Sequence, residues 1–274
     1  MDHLAEPAAR SILEQGRHLY VAVAAPAGPH VTPELYSVAD GRVWFWAAHS
    51  TVKAKVLVDD RRTGAVVSAN GRSVVMTGSA EHFDVRDLKT LPRALRDPKA
   101  IGRATVRFGL RNAADLGAFA GDFVSGRLGR SLPPRRVLFG MKPSRLAVLD
   151  NGRVLFALGD WADPTPASEE PVVEGHRAAV IAWETDHGPV ALPGRVDLAE
   201  RRAWLPTALV ELAGLHSPAR TGVVVDDYVA PGPAAKEGTL LRGMGTLVEG
   251  GRVDIVLERE TDWNGVVTRT KKPA

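Results

Sequence analysis

Apolar residues in the first third of the chain fall in short runs separated by two-residue turn signals. Leu19–Ala25 and Val31–Val38 flank Gly28-Pro29, Val43–Ala48 follows Asp40-Gly41, and Ala65–Ser68 and Ser73–Thr77 flank Asn70-Gly71. Asp-Gly and Asn-Gly between β-branched or aromatic runs signal tight hairpins, because both residues tolerate positive φ. One polar segment, Ser50-Thr51-Val52-Lys53-Ala54-Lys55, interrupts these runs and opens a short helix over about Val52 to Asp59. Alternation within the runs is imperfect, which suits strands covered on both faces and predicts a small closed β-barrel. Leu4, Ala8, Ile12 and Leu13 share one face of a further short helix ahead of the barrel.

From Asp84 to Arg136 the pattern changes. Leu88–Leu95 and Ala100–Gly126 read mainly helical despite several glycines, and Arg103, Arg107 and Arg111 recur along one helical face. Strand composition returns at Val137–Met141 and Leu146–Asp150, followed by an Asn151-Gly152 turn. Residues 159–175, with three prolines and a cluster of acids, read as a linker.

After that linker the first block returns. Gly28-Pro29 and Pro33 match Gly188-Pro189 and Pro193 at an offset of 160, and Ala39 through Trp44 match Ala199 through Trp204 at the same offset. Thr63-Gly64-Ala65-Val66-Val67 matches Thr221-Gly222-Val223-Val224-Val225 at offset 158, and Gly78 is assigned to Gly245. Three matches in order at nearly constant offset predict an internal duplication. The expected architecture is mostly β: two tandem split β-barrels forming an intramolecular pseudo-dimer. The first domain spans 1–158 and includes a helical insertion over 84–136; the second, degenerate domain spans 176–274.

The 274 residues suffice for two cores, and 45% apolar with 24% charged residues is a globular composition. Apolar runs fall short of the roughly 18 residues that span a bilayer, and the N-terminal stretch shows no secretory pattern. The absence of cysteine excludes disulfides and thiolate chemistry and fits a cytoplasmic setting. Between Asp84 and Arg136 there are twelve basic and five acidic residues in a chain whose net charge is +3. Without interleaved aromatics this does not read as a nucleic-acid surface; pairing with acids of the second copy is the expectation. The eight histidines show no metal-ligand spacing.

The block Gly28-Pro29-His30-Val31-Thr32-Pro33, then Asp40-Gly41-Arg42-Val43-Trp44-Phe45-Trp46, then Ser50-Thr51-Val52-Lys53-Ala54-Lys55-Val56-Leu57, resembles the pyridoxamine 5′-phosphate oxidase-like split β-barrel superfamily. That superfamily includes flavin- and deazaflavin-dependent reductases and relatives that handle haem. The resemblance covers residues 18 to 83 clearly and 178 to 270 more weakly. It departs at Val56-Leu57, where the family has Asn-Leu, and at Asp60-Arg61, where it has Asp-Pro. It implies a cofactor cleft between barrels, with Lys53 as phosphate-contacting cation, Lys55 as a second, and Ser50 and Thr51 as hydroxyl donors. His49, Thr32, Pro33, Trp46, Thr77 and Trp263 complete the implied cofactor-binding set. A helix N-terminus with two lysines is physically suited to an anion, although a capped, solvated helix has the same sequence. At offset 158 the second copy carries Ala208, Leu209, Glu211 and Ala213 in place of Ser50, Thr51, Lys53 and Lys55, so one competent site is expected.

The implied function is an FMN- or deazaflavin-dependent oxidoreductase acting on a small organic substrate. A haem-binding relative and a cofactor-free binding protein remain as alternatives. No residue reads as an essential acid or base. Neither a nucleic-acid nor a membrane partner is expected, and a homodimer built from pseudo-dimers is compatible with the pattern. Lys236 and Arg242 are candidate cleft residues, His30 and His187 are expected at exposed hairpin turns, and Asp226-Asp227 should point to opposite faces.

Overall fold

The computed structural model describes residues 2–84, 98–126, 135–162, 176–228, 230–232, 236–265 and 267–272. The Leu88–Leu95 helix and most of the 159–175 linker lie outside the described residues.

A 3₁₀ turn (His3–Ala5) and helix α1 (Pro7–Gln15) precede the first sheet. Its strands are β1 (Leu19–Ala25), β2 (Gly28–Glu34), β3 (Tyr36–Ala39), β4 (Arg42–Ala48), β5 (Arg62–Ala69), β6 (Arg72–Phe83), β7 (Arg136–Asp150) and β8 (Arg153–Leu158), with helix α2 (Val52–Asp59) after β4. The order is β2-β1-β5-β6-β7-β4-β3, with β8 beside β7. Strands β2 and β3 are one path bent at Leu35, so the sheet closes on itself. The Asp40-Gly41, Asn70-Gly71 and Asn151-Gly152 turns all have positive φ at both residues, as expected for primed hairpins. The first hairpin differs. Its turn is Pro26-Ala27, and Gly28 already pairs with Ala25.

Helices α3 (Pro98–Arg111) and α4 (Ala113–Val124) form the insertion, broken at Asn112. Among the described residues, the bonds of the arginine stripe that reach other elements stay within its own unit. Arg103 Nε donates to Asp40 Oδ2 at 3.0 Å, and Arg107 Nη1 donates to the Val38 carbonyl at 3.1 Å. Arg111 donates to Tyr36 Oη at 3.0 Å and to the Gly16 carbonyl, and its guanidinium lies 4.4 Å from the Tyr36 ring centroid. These bonds fasten α3 to the first barrel.

The second sheet holds β9 (Arg177–Thr185), β10 (Gly188–Asp197), β11 (Arg202–Trp204), β12 (Ala219–Tyr228), β13 (Lys236–Leu247), β14 (Arg252–Asn264) and β15 (Val267–Lys271), with helix α5 (Thr207–Leu212) after β11. Its order, β11-β10-β9-β12-β13-β14-β15 with β11 also on β14, repeats the first barrel strand for strand. Register corrects two sequence matches. Thr63 pairs with Gly78 and Thr221 with Gly243, and both ladders shift register there, so the counterpart of Gly78 is Gly243, not Gly245. In the helices, buried Lys53, Ala54 and Leu57 correspond to buried Ala208, Leu209 and Leu212, an offset of 155. Lys53 therefore stands where the second barrel has Ala208, not Glu211.

Strand residues alternate between the two cores. Leu19, Val21, Val23, Ala65, Val67, Val74 and Met76 fill the first barrel, while Ala22, Val66 and Val75 join Ala182, Ala191 and Val224 between the barrels. The seam is nearly symmetric. A Cβ on Gly64 would lie 2.5 Å from the Pro189 carbonyl oxygen, and one on Gly222 would lie 2.5 Å from that of Pro29. Only glycine permits this backbone approach at both positions.

Candidate functional site

Where the seam meets the insertion, a cavity of about 450 Å³ opens. The first barrel contributes Glu34 and Leu35 at the β2–β3 bend, Trp46 of β4 and Arg136 of β7. The insertion roofs it with Thr105, Phe108, Gly109, Asp115, Leu116 and Phe119, and the second barrel adds Gly232 and Lys236. Trp46 and Phe108 meet edge-on at 6.3 Å, and the Arg136 guanidinium lies 5.5 Å from the Phe119 centroid.

The two carboxylates of this cavity are already engaged. Glu34 is paired with Lys53, which is only 1% exposed beneath α2. Burial lowers the lysine's pKa, partly offset by Glu34. Asp115 accepts from Tyr228 Oη at 3.0 Å and from the Gly232 amide at 3.3 Å, tying α4 to the second barrel.

A buried polar cluster backs this tie. His18, 7% exposed, sits with Nδ1 3.8 Å from Asp226 Oδ2 and its ring 5.0 Å from that of Tyr228. Tyr20 Oη donates to Asp226 Oδ1 at 2.5 Å. Burial, reinforced by the fields of Lys236 and Arg17 against that of Asp115, pushes the His18 pKa down to about 4. Burial raises those of Asp226 and Tyr20. No motif exposes this cluster, because His18 and Asp226 meet only through the pairing of the two barrels. Asp227, on the opposite strand face as expected, pairs with Arg177 at 2.6 Å.

Of the cofactor-binding set implied by the resemblance, only Trp46 lines the cavity, with Lys53 paired to Glu34 of its wall. Thr32 and Pro33 are half-buried on β2 beside Glu34. His49, Ser50, Thr51 and Lys55 are exposed and outside it. Thr51 Oγ1 donates to the Ala48 carbonyl at 2.8 Å and accepts from the Ala54 amide at 3.3 Å, the work of an N-cap. Thr77 is buried elsewhere, accepting from Arg145 Nε at 2.8 Å. Trp263 packs into the second core against Gly238. Lys236 reaches the cavity as expected, whereas Arg242 is buried with its Nε unpaired among the described residues. His187 is exposed, but His30 is not: its half-buried ring is held to a pKa of about 3 by burial and by Lys53 and Arg242. Arg136, which the sequence places at the end of the insertion, opens β7 in the structure and carried no signal of a cavity role.

The pseudo-symmetric cleft, about 340 Å³, is lined by Gly71, Asn151, Gly194, Arg195, Trp204 and Pro206 among others. There the Lys53–Glu34 pair is replaced by Ala208 and Gly194. His176 stacks on Trp204 at 4.0 Å, and Arg195 donates to the His176 carbonyl at 3.3 Å. Among the described residues, no group of three or more His, Asp or Glu could hold a metal ion, and no helix is long and apolar enough to cross a membrane.

Two closed barrels packed about a pseudo-twofold, with a cavity at their seam, define a tandem split-barrel protein. Residues 5–127 match the family model described as pyridoxamine 5′-phosphate oxidase. No curated protein matches the chain. Among solved structures, a conserved hypothetical protein from Mycobacterium tuberculosis is 21% identical over 54% of this chain and 85% of that one, at a TM-score of 0.38. A haem-binding protein from Mycobacterium smegmatis is 14% identical over 56% of each chain, at a TM-score of 0.38. A FAD-binding protein from Mesorhizobium loti is 16% identical over 51% of this chain and 89% of that one, at a TM-score of 0.33.

Proposed function

We propose that the chain is a flavin- or deazaflavin-dependent oxidoreductase that holds one cofactor in the cavity under the helical insertion and acts on a small organic substrate. The observation that carries this reading is the aromatic-lined cavity between two barrels, on the unit that matches the pyridoxamine 5′-phosphate oxidase family. Its donor set fits a planar anionic group: Trp46, Phe108 and Phe119 offer ring faces and edges, and Arg136 and Lys236 offer cations. The N-terminus of α2 fits a phosphate less well, since Thr51 is spent as a cap and Lys53 is sealed against Glu34. A bound flavin or deazaflavin would supply the hydride chemistry. The chain's own residues would bind and orient it, and α3 and α4 would exclude water from above.

Titrating the purified protein with FMN and with the deazaflavin coenzyme, followed by quenching of cofactor fluorescence, tests this. Saturable binding of either at one equivalent per chain is expected. No binding of either overturns the reading, and a Soret band on adding haem would replace it with a haem-binding role.

A further inference from the structure

We propose that helix α4 is a lid over the cavity, hinged at Asn112 and latched through Asp115 to the β12–β13 hairpin of the second barrel. What the lid admits rests on the cavity being the ligand site; that it opens does not.

The two helices of the insertion are held in different ways. Helix α3 buries Ala100, Ala104 and Phe108 and is bonded to the first barrel along its arginine stripe. In α4, Asp115 alone of the residues Ala113–Val124 is buried. The helix thus buries a carboxylate where a docked surface helix buries an apolar stripe. Its Leu116 and Val124 are 41% and 86% exposed, and Gly117 and Gly121 lower its intrinsic stability. A segment with so few buried apolar contacts opens at lower free energy than the core it covers.

The hinge lies at the break between the helices. Asn112 leaves helical geometry (φ −105°, ψ 23°), and its Nδ2 donates to the carbonyls of Tyr36 at 3.1 Å and Phe108 at 2.9 Å. Helix α3 therefore ends on a pinned residue, and α4 begins beyond it. Swinging α4 outward takes Leu116 and Phe119 from the cavity wall and leaves the part built by α3 in place.

The latch comes from the second barrel. Tyr228 Oη and the Gly232 amide both donate to Asp115, and the Arg17 guanidinium lies 3.5 Å from the Tyr228 ring centroid, steadying the phenol. The hairpin carrying these donors has residues 229–235 between its strands, whereas its counterpart in the first barrel turns on Asn70-Gly71. Conversely, the first barrel has the insertion between β6 and β7, where the second has only a 3₁₀ turn, Glu249–Gly251. The long hairpin and the insertion each occur in one copy, and they meet at Asp115.

Two measurements on the full chain without ligand test this. Hydrogen exchange should be on the order of a hundredfold faster in Ala113–Val124 than in Pro98–Arg111. Asp115→Ala should speed exchange in Ala113–Val124 about tenfold further, with Pro98–Arg111 and the melting temperature unchanged. Because the chain has no cysteine, Leu35→Cys places a single thiol in the cavity wall. Adding Asp115→Ala should speed its labelling by bulky N-(1-pyrenyl)maleimide about tenfold, and by small N-ethylmaleimide less than about twofold. If Asp115→Ala melts lower, Tyr228→Phe, which removes one donor of the latch, replaces it in both measurements. Exchange of both helices at one rate, unchanged exchange on breaking the latch, or no larger gain for the pyrenyl reagent overturns the lid. Failure of FMN and the deazaflavin coenzyme to bind would remove the flavin reading and leave the lid standing.

Discussion

The Lys53–Glu34 pair separates two roles for the lysine of α2, and removing it gives different outcomes in each. The ammonium is buried beneath the helix, and its pKa is lowered by that burial. Deleting one member of such a pair strands the other charge, at a cost of about 3–5 kcal/mol. For a chain of this size that lowers the melting temperature by on the order of 10 °C. Lys53→Met should show this loss. Lys53→Met with Glu34→Leu should recover to within about 1 kcal/mol of the unmodified protein, since apolar replacement of a whole buried pair is often neutral or stabilising. The second barrel already has small residues at both positions, Ala208 and Gly194. Thermal and urea unfolding of the four proteins completes a double-mutant cycle. A loss under about 1 kcal/mol for Lys53→Met, or additive losses in the double variant, would refute the reasoning and return Lys53 to the ligand.

Other consequences can be measured on the same protein. The folded His18 pKa of about 4 lies below its ordinary 6.5, so between those values the unfolded chain binds the extra proton. Stability should therefore rise with pH from 4 to 6.5, by up to about 3 kcal/mol from this residue. Unfolding midpoints of His18→Asn should depend less on pH across that window, and an unchanged slope would count against a buried neutral imidazole; His30 adds a similar dependence that persists in the variant. Among the described residues, Tyr228→Phe leaves Asp115 with only the Gly232 amide, a loss of about 1–3 kcal/mol at the tie. It should speed hydrogen exchange in Ala113–Val124 while sparing β6 and β7; unchanged exchange would show that α4 is held by other contacts.

Much of the fold was legible in the sequence, because hairpin chemistry and duplication are local or periodic signals. Asp40-Gly41, Asn70-Gly71 and Asn151-Gly152 each require positive φ, and each is a turn. The Thr51 cap and the Val52–Asp59 helix follow from the same kind of reasoning. Errors arose where the chain gives no local sign of register. Gly78 was matched to Gly245 because two glycines lie two residues apart, and only the shared bulge distinguishes them. Lys53 was matched to Glu211 because the second helix is shorter.

The site was less legible, for a physical reason. Its walls come from positions far apart, Trp46, Phe108, Arg136 and Lys236, which meet only after two barrels and an insertion pack. A lysine after a Ser-Thr cap reads equally as a phosphate ligand or a surface charge. Neither reading anticipates a side chain folded inward onto Glu34. The arginine stripe shows the same limit: its helical face was evident, but not that the acid it would find was Asp40 of its own barrel.

Gly109 offers the most direct test of where the ligand lies. It lines the cavity, and a Cβ there would meet no atom within 4 Å, so Gly109→Trp can fill the space, and replacing a helical glycine need not weaken α3. Flavin or deazaflavin binding by this variant, measured beside its melting temperature, should fall at least about tenfold while the protein melts no lower than before. Binding at the unmodified level by a protein that melts normally would place the ligand elsewhere and contradict the account.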